Sequence, residues 1–165
     1  IYNTNRKYLN FEITETAAAY QQDTLLKTRD KLRDIGVEFS FDYYGSGHAT
    51  MEYMVDLPFD IIKIDKGIVW NAHRNPSTNV ALASTIAMIS DLGRKVLAEG
   101  VETAEQAEWL KALGCDYLQG YYYSKPLSRK EFIEFLKQKN HDIYDKYTQN
   151  ISYDDIEELE VLSEI

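Results

Sequence analysis

The chain is short of thiols: a single cysteine, Cys115, stands among 165 residues. One thiol cannot close an internal disulfide, which suits a reducing compartment, and a cytoplasmic setting is expected. Apolar runs are short, and none approaches the ~20 residues that a membrane span needs. The first residue is Ile1 rather than Met. The chain is therefore expected to be an excised piece of a longer parent, which is free to carry a membrane anchor upstream. Bases are scarce too, with 18 Lys and Arg against 27 Asp and Glu and a formal charge of −9. That balance argues against a generic DNA or RNA surface, which is basic. The deficit is local: from His141 onward eight acids and one base give −7, and residues 1–140 carry −2. Hairpin signals are missing, which points to parallel strand pairing. No internal sequence repeat is present, which excludes a solenoid.

What is there is ordinary for a globular protein, at 44% apolar and 27% charged residues, enough for one domain with a real core. Phe11-Glu12-Ile13-Thr14-Glu15 alternates at period two and reads as a strand. A helix carrying Leu25, Leu26, Leu32 and Ile35 follows and stops at Gly36. Val37–Asp42 is a second strand. Met51, Met54 and Leu57 sit at spacing three on a short helix ended by Pro58. Phe59–Asp65 is a third strand, and 69–76 reads as a loop. Asn75-Pro76 opens a helix through Val80, Ala83, Ile86 and Ala87 that ends at Leu92-Gly93. Lys95–Glu99 is a fourth strand. Thr103-Ala104-Glu105-Gln106 is a capping box for a helix burying Ala107, Leu110 and Leu113. Tyr117–Gly120 is a fifth strand with its turn, and Ser128-Arg129-Lys130-Glu131 caps a helix carrying Phe132, Phe135 and Leu136. Residues 141–165 form an acidic helical tail, set apart from a domain over 1–140.

Five strand–helix units in series imply an α/β fold with a parallel sheet. Their polar residues gather where strands end. Phe39-Ser40-Phe41-Asp42 runs into Tyr43-Tyr44-Gly45-Ser46-Gly47, an acid at the mouth of a Gly-rich loop. α/β enzymes present metal ligands in this way at the C-terminal rim of a sheet. The other strands end in Glu15, Lys63, Glu99 and Gln119. Lys63 stands in the apolar run Ile61-Ile62-Lys63-Ile64-Asp65, and burying an ammonium is costly unless it is paired. Asp65, two residues on, is placed on the same strand face. A structural Lys–Asp pair and a functional one both remain open. The run Tyr121-Tyr122-Tyr123 either stacks on a base or packs at the strand end, and sequence alone favours packing. Cys115 reads as a small buried residue rather than a nucleophile.

Ile13-Thr14-Glu15, Asp42-Tyr43-Tyr44-Gly45-Ser46-Gly47, Lys63-Ile64-Asp65, Ala98-Glu99-Gly100-Val101-Glu102 and Gln119-Gly120-Tyr121 follow the order and spacing of the EAL family. Over residues 9–138 the chain resembles these bacterial phosphodiesterases, which open cyclic di-GMP to the linear dinucleotide pGpG. The resemblance implies a partial TIM-like (β/α) barrel of about five parallel units, running from the fourth strand to the eighth. The N-terminal strands, the Glu-Ala-Leu stretch and a metal-binding Asn have no counterpart here. It also implies two Mg²⁺ or Mn²⁺ ions that activate water against a phosphodiester. By the same resemblance Glu15 and Asp42 are ligands of the first metal, and Asp65 and Glu102 lie around the second. Lys63 stands near the attacking water and Glu99 is the general base. Gln119 and Tyr121 are placed on the substrate.

The departures carry their own expectation. The family has two successive acids where this chain has Asp42-Tyr43, and a phenol is a poor metal ligand near neutral pH. The loop that follows reads Ser46-Gly47-His48-Ala49-Thr50 in place of the family's Thr-Gly-Tyr-Ser-Ser, and Ala18 stands where a helper acid is usual. The chain alone is expected to be inactive. The parent is then either a working phosphodiesterase, a receptor that binds cyclic di-GMP without cutting it, or a module for dimerisation. Five strands cannot close an eight-stranded barrel. A homo-oligomer, or a missing N-terminal half of the domain, is therefore expected to cover the open edges.

Overall fold

A computed structural model describes residues 10–14, 22–43, 57 and 59–139. The chain divides into two compact units, one of residues 6–125 and one of residues 1–5 with 126–165. The first unit carries five strands and four helices. In order they are β1 (Asn10–Thr14), α1 (Gln22–Arg33), β2 (Glu38–Tyr43), β3 (Ile61–Ile64), α2 (Lys66–Arg74), α3 (Pro76–Asp91), β4 (Lys95–Ala98), α4 (Ala104–Leu113) and β5 (Tyr117–Leu118). The strands form one sheet in the order β1-β2-β3-β4-β5, and every pairing is parallel. The expected α/β architecture of five parallel units is present. In the second unit α5 (Arg129–Lys139) begins at its expected capping box, with Ser128 N–H donating to Glu131 Oε2 at 2.9 Å. The acidic tail, the division at residue 140 and the short helix over Met51 and Met54 lie outside the described residues.

Register explains how the sheet sorts its side chains. Partners across parallel strands share a face, and parity alternates along each strand. The pairs Phe11↔Phe39, Ile13↔Phe41, Phe41↔Ile62, Ile62↔Val96 and Ile64↔Ala98 therefore line one face. The pairs Glu12↔Ser40, Thr14↔Asp42, Asp42↔Lys63 and Lys63↔Leu97 line the other. The first face is the core. Phe39, Phe41, Ile62, Ile64, Val96 and Ala98 cluster there with Val69 and Ala72 of α2, Leu82, Ile86 and Ile89 of α3, and Ala107 and Leu110 of α4. Phe41 stacks on Phe59 with ring centroids 4.7 Å apart. The second face is where polar side chains are admitted.

Two readings of the helices need correction. Residues 69–74, read as loop, belong to α2, which begins at Lys66. Asp65 caps it by accepting from Gly67 N–H at 2.6 Å. Val69 and Ala72, three apart, give it a buried side that its polar residues obscured in the sequence. In α3 the buried stripe is Leu82, Ile86 and Ile89. Val80, assigned to the apolar side, is 68% exposed. The capping box of α4 is complete: Thr103 accepts from Gln106 N–H, and Gln106 Oε1 accepts from Thr103 N–H.

A candidate site at the C-terminal ends of the strands

Lys63 is a buried cation on the second face. Its side chain is only 6% exposed, and its ammonium donates to Glu12 Oε1 and Glu99 Oε1, each at 2.7 Å. Burial alone would lower its pKa. Hydrogen bonds to Glu12 and Glu99, with their charges, outweigh that and raise it above the ordinary lysine value. The ammonium is therefore a fixed positive charge joining β1, β3 and the residue after β4. It does not pair with Asp65. The strand ends at Ile64, so the two-residue parity no longer holds one position later, and Asp65 has turned to cap α2.

The rim beyond Lys63 is held by a continued backbone ladder. Glu99 N–H donates to Ile64 O at 3.0 Å, Gln119 N–H to Ala98 O at 2.9 Å, and Val101 N–H to Gln119 O at 3.1 Å. These bonds carry Glu99, Glu102, Gln119 and Tyr121 to one cleft of about 230 Å³. Gly120 makes the arrangement fit, because a Cβ there would fall 2.1 Å from Val101 O. Opposite in sequence, α2 contributes Lys66 and Trp70 to the same cleft. The indole Nε1–H of Trp70 donates to Gly100 O at 2.7 Å. Tyr121, Tyr122 and Tyr123 do not pack at a strand end: they follow Gly120 in a turn and are 60%, 46% and 45% exposed. Tyr122 N–H donates to Val101 O, which holds the turn through backbone and leaves the rings outside.

Of the residues singled out from sequence, Lys63 and Glu99 meet in one ion-paired group, and Glu99, Glu102, Gln119 and Tyr121 share the cleft. Asp42 pairs in register with Lys63 on the polar face. Asp65 is committed to its cap. Glu15 lies outside the described residues, as do Ala18 and the loop from Tyr44 through Thr50. Tyr43 ends β2. The sequence reading missed Glu12, Lys66 and Trp70. Glu12 carried a signal: it shares parity with Asn10 and Thr14 and opposes Phe11 and Ile13, which puts it on the polar face. Cys115 is partly buried between α4 and β5. Burial, then the neighbouring Asp116 charge, push its thiol up to about 12, which makes it a poor nucleophile.

Carboxylates suit hard divalent ions. Among the described residues, however, no three Asp, Glu, His or Cys side chains converge as a cation cage. Glu12 and Glu99 already hold one cation, the Lys63 ammonium, and Asp65 holds a backbone N–H. The described residues do not by themselves fit a divalent ion, and no chemical step is routed through one.

Comparison with known proteins agrees with this geometry. The EAL domain family matches residues 2–126. A cyclic di-GMP phosphodiesterase of Pseudomonas aeruginosa, NbdA, is 34% identical over 135 residues, covering 82% of this chain and 17% of that protein. RocR, a cyclic di-GMP phosphodiesterase of the same organism, is 31% identical over 125 residues, covering 76% of this chain and 32% of its own length. The chain thus spans at most a third of these two relatives. Among solved structures, the EAL domain of Mycobacterium smegmatis DcpA superposes with a TM-score of 0.73 at 32% identity, over 81% of this chain and 60% of that one. The manganese and cyclic di-GMP complex of Klebsiella pneumoniae BlrP1 gives 0.65 at 31% identity, over 74% and 31%. The parallel sheet is therefore part of a TIM-like barrel, and the chain belongs to the EAL family.

Proposed function

We propose that this chain recognises cyclic di-GMP at the C-terminal rim of its sheet and, by itself, does not cleave it. The observation that carries the reading is the Lys63 ammonium fixed between Glu12 and Glu99 beside the cleft lined by Glu99, Glu102 and Gln119. Hydrogen-bonding groups at this rim, with the Lys66 ammonium beside them, suit nitrogenous bases and a phosphodiester. Solved relatives holding cyclic di-GMP support the ligand. Cleavage is withheld because Tyr43 stands where the family pattern has its second acid, and Glu12, Glu99 and Asp65 are engaged elsewhere. Two metal ions activate water only inside a full set of oxygen donors. In a complete barrel, Mg²⁺ or Mn²⁺ would be held by Asp42, Glu15 and Glu102 with donors supplied from elsewhere in the parent. Glu99 would be the general base and Lys63 would stand at the attacking water. The parent as a working phosphodiesterase is the second reading, favoured by the curated phosphodiesterases that this chain matches.

The reading extends to placement and assembly. Among the described residues no helix is long and apolar enough to cross a membrane, and we place the module in the cytoplasm. β1 and β5 end the sheet with unpaired edges among the described strands. We propose that a second copy or the remaining half of a barrel covers them.

Three measurements test this. Thermal unfolding with excess cyclic di-GMP should raise Tm, since a ligand bound only by the folded state stabilises it; an unchanged Tm refutes recognition. Incubation with Mg²⁺ or Mn²⁺ should yield no pGpG, and turnover at ordinary enzymatic rates, about 1 s⁻¹ or faster, refutes the non-cleaving assignment. Sedimentation should show an oligomer; a monodisperse monomer refutes a second copy at the edges.

A further inference from the structure

The cleft is walled on one side by residues outside every motif that identifies the family. Trp70, on the second turn of α2, is anchored by its Nε1–H bond to Gly100 O. That approach depends on Gly100: its φ is +72, and a Cβ there would fall 2.3 Å from Lys66 Cβ and 3.1 Å from Trp70 Nε1. The indole is thus held in place while contributing to the cleft wall. Lys66 Nζ sits 5.8 Å from the Trp70 ring centroid, and Lys125 Nζ 5.8 Å from that of Tyr121. Two aromatic rings, each with an ammonium over it, border one cleft whose other polar groups are Glu99, Glu102 and Gln119.

Size and chemistry narrow the occupant. At about 230 Å³ the cleft is smaller than the roughly 300–1,000 Å³ that a drug-sized ligand fills, so it takes one ring system and not a whole dinucleotide. Aromatic walls stack any nucleobase. Carboxylates accept hydrogen bonds and donate none, so they favour a base edge carrying adjacent N–H and NH₂ groups, which is the guanine edge. The Lys66 ammonium forms no ion pair among the described residues and is available to a phosphate.

We propose that Trp70 stacks on one guanine of the bound dinucleotide, with Lys66 beside its phosphate, so that α2 favours a purine by ring overlap while Glu99 and Glu102 read its edge. The inference rests on the recognition of cyclic di-GMP proposed above and adds the subsite and the element that stacks on the base. Trp70 is then a specificity-determining residue, and its indole bond to Gly100 is the means by which it is positioned.

The test uses the full chain carrying Trp109→Phe, which leaves Trp70 as the sole indole of the two in the sequence. Trp109 faces His73 and lies outside the cleft. Cyclic di-GMP should quench Trp70 emission, and its pyrimidine analogue cyclic di-CMP, with the same phosphate ring, should not. In calorimetry, Trp70→Ala should weaken cyclic di-GMP binding about 5- to 150-fold, the range for loss of one base–aromatic stack. Trp70→Phe keeps a ring but loses the bond to Gly100, and should weaken binding clearly less than Trp70→Ala. A merely structural Trp70 would make Phe as damaging as Ala and would leave the purine-to-pyrimidine ratio unmoved; that result overturns the inference. So does unchanged Trp70 emission on saturation with cyclic di-GMP that calorimetry shows to be bound. Calorimetry showing no binding of cyclic di-GMP to the unsubstituted chain overturns the recognition itself, and with it this subsite.

Discussion

The two rims of the sheet use the same residue types for different ends. At the N-terminal ends of the strands, acids stitch backbone to backbone. Asp60 Oδ2 accepts from Phe39 N–H at 2.9 Å, and Asp116 Oδ2 accepts from Val96 N–H at 2.8 Å. Both donors belong to buried residues, so each carboxylate satisfies a group that would otherwise be orphaned. At the C-terminal ends, Glu12 and Glu99 hold a lysine, and Glu102 faces an open cleft. Carboxylates spent on their own backbone serve stability, and those left for side chains and solvent are available to a ligand. That division of labour is the one found in β/α barrels, whose chemistry sits at the C-terminal face.

The contrast is sharpest in Asp60→Ala. Removing the acceptor orphans the Phe39 N–H and should cost about 1–3 kcal/mol in denaturant unfolding. Cyclic di-GMP affinity should be unchanged; a parallel loss of affinity would mean that the rims are not separable. Lys63→Met should cost somewhat less, about 1–2 kcal/mol, because the usual penalty for breaking a buried pair is eased where Glu12 reaches solvent. Its larger effect should be on ligand binding, measured by calorimetry. A Lys63→Met protein that binds as well as the parent would remove the C-terminal rim from function.

The pH dependence separates the same pair. The folded-state pKa of Lys63 is raised above 10.5. Its contribution is therefore fully present below the unfolded value and is lost as pH rises through the folded one. The stability difference between wild type and Lys63→Met should hold steady from neutral pH to about pH 10 and shrink above it. A difference that faded between pH 7 and 9 would contradict the ion-paired geometry. The smallest effect belongs to Cys115. With its thiol pushed up to about 12, alkylation by iodoacetamide at pH 8 should be slow in the native chain and fast in urea. Replacement by Ala should cost less than about 1 kcal/mol. Rapid native labelling would show that α4 and β5 part more freely than their packing suggests.

Much of this was legible in the chain itself. Period-two alternation located β1, short strand-like runs located β2 and β4, and the Thr103 and Ser128 capping boxes placed the starts of α4 and α5, because these signals are local and need no partner. The rim residues Lys63, Glu99 and Gln119 were marked as strand ends, and Glu102 and Tyr121 by the resemblance to the family. Helix α2 was not recognised, since a single Asp cap and two buried residues three apart make a weak pattern among Asn, His and Lys. The buried stripe of α3 was displaced because so many of its residues are apolar that several faces compete.

Sequence by itself determined the order of the strands, the parallel pairing and the family, because hydrophobic period and motif spacing are properties of neighbouring residues. Only tertiary structure decided that Lys63 is shared by Glu12 and Glu99 rather than paired with Asp65. It also decided that Trp70 reaches the loop at Gly100. Those contacts join residues 30 to 51 positions apart, and they follow from sheet register and helix docking, which no local pattern encodes.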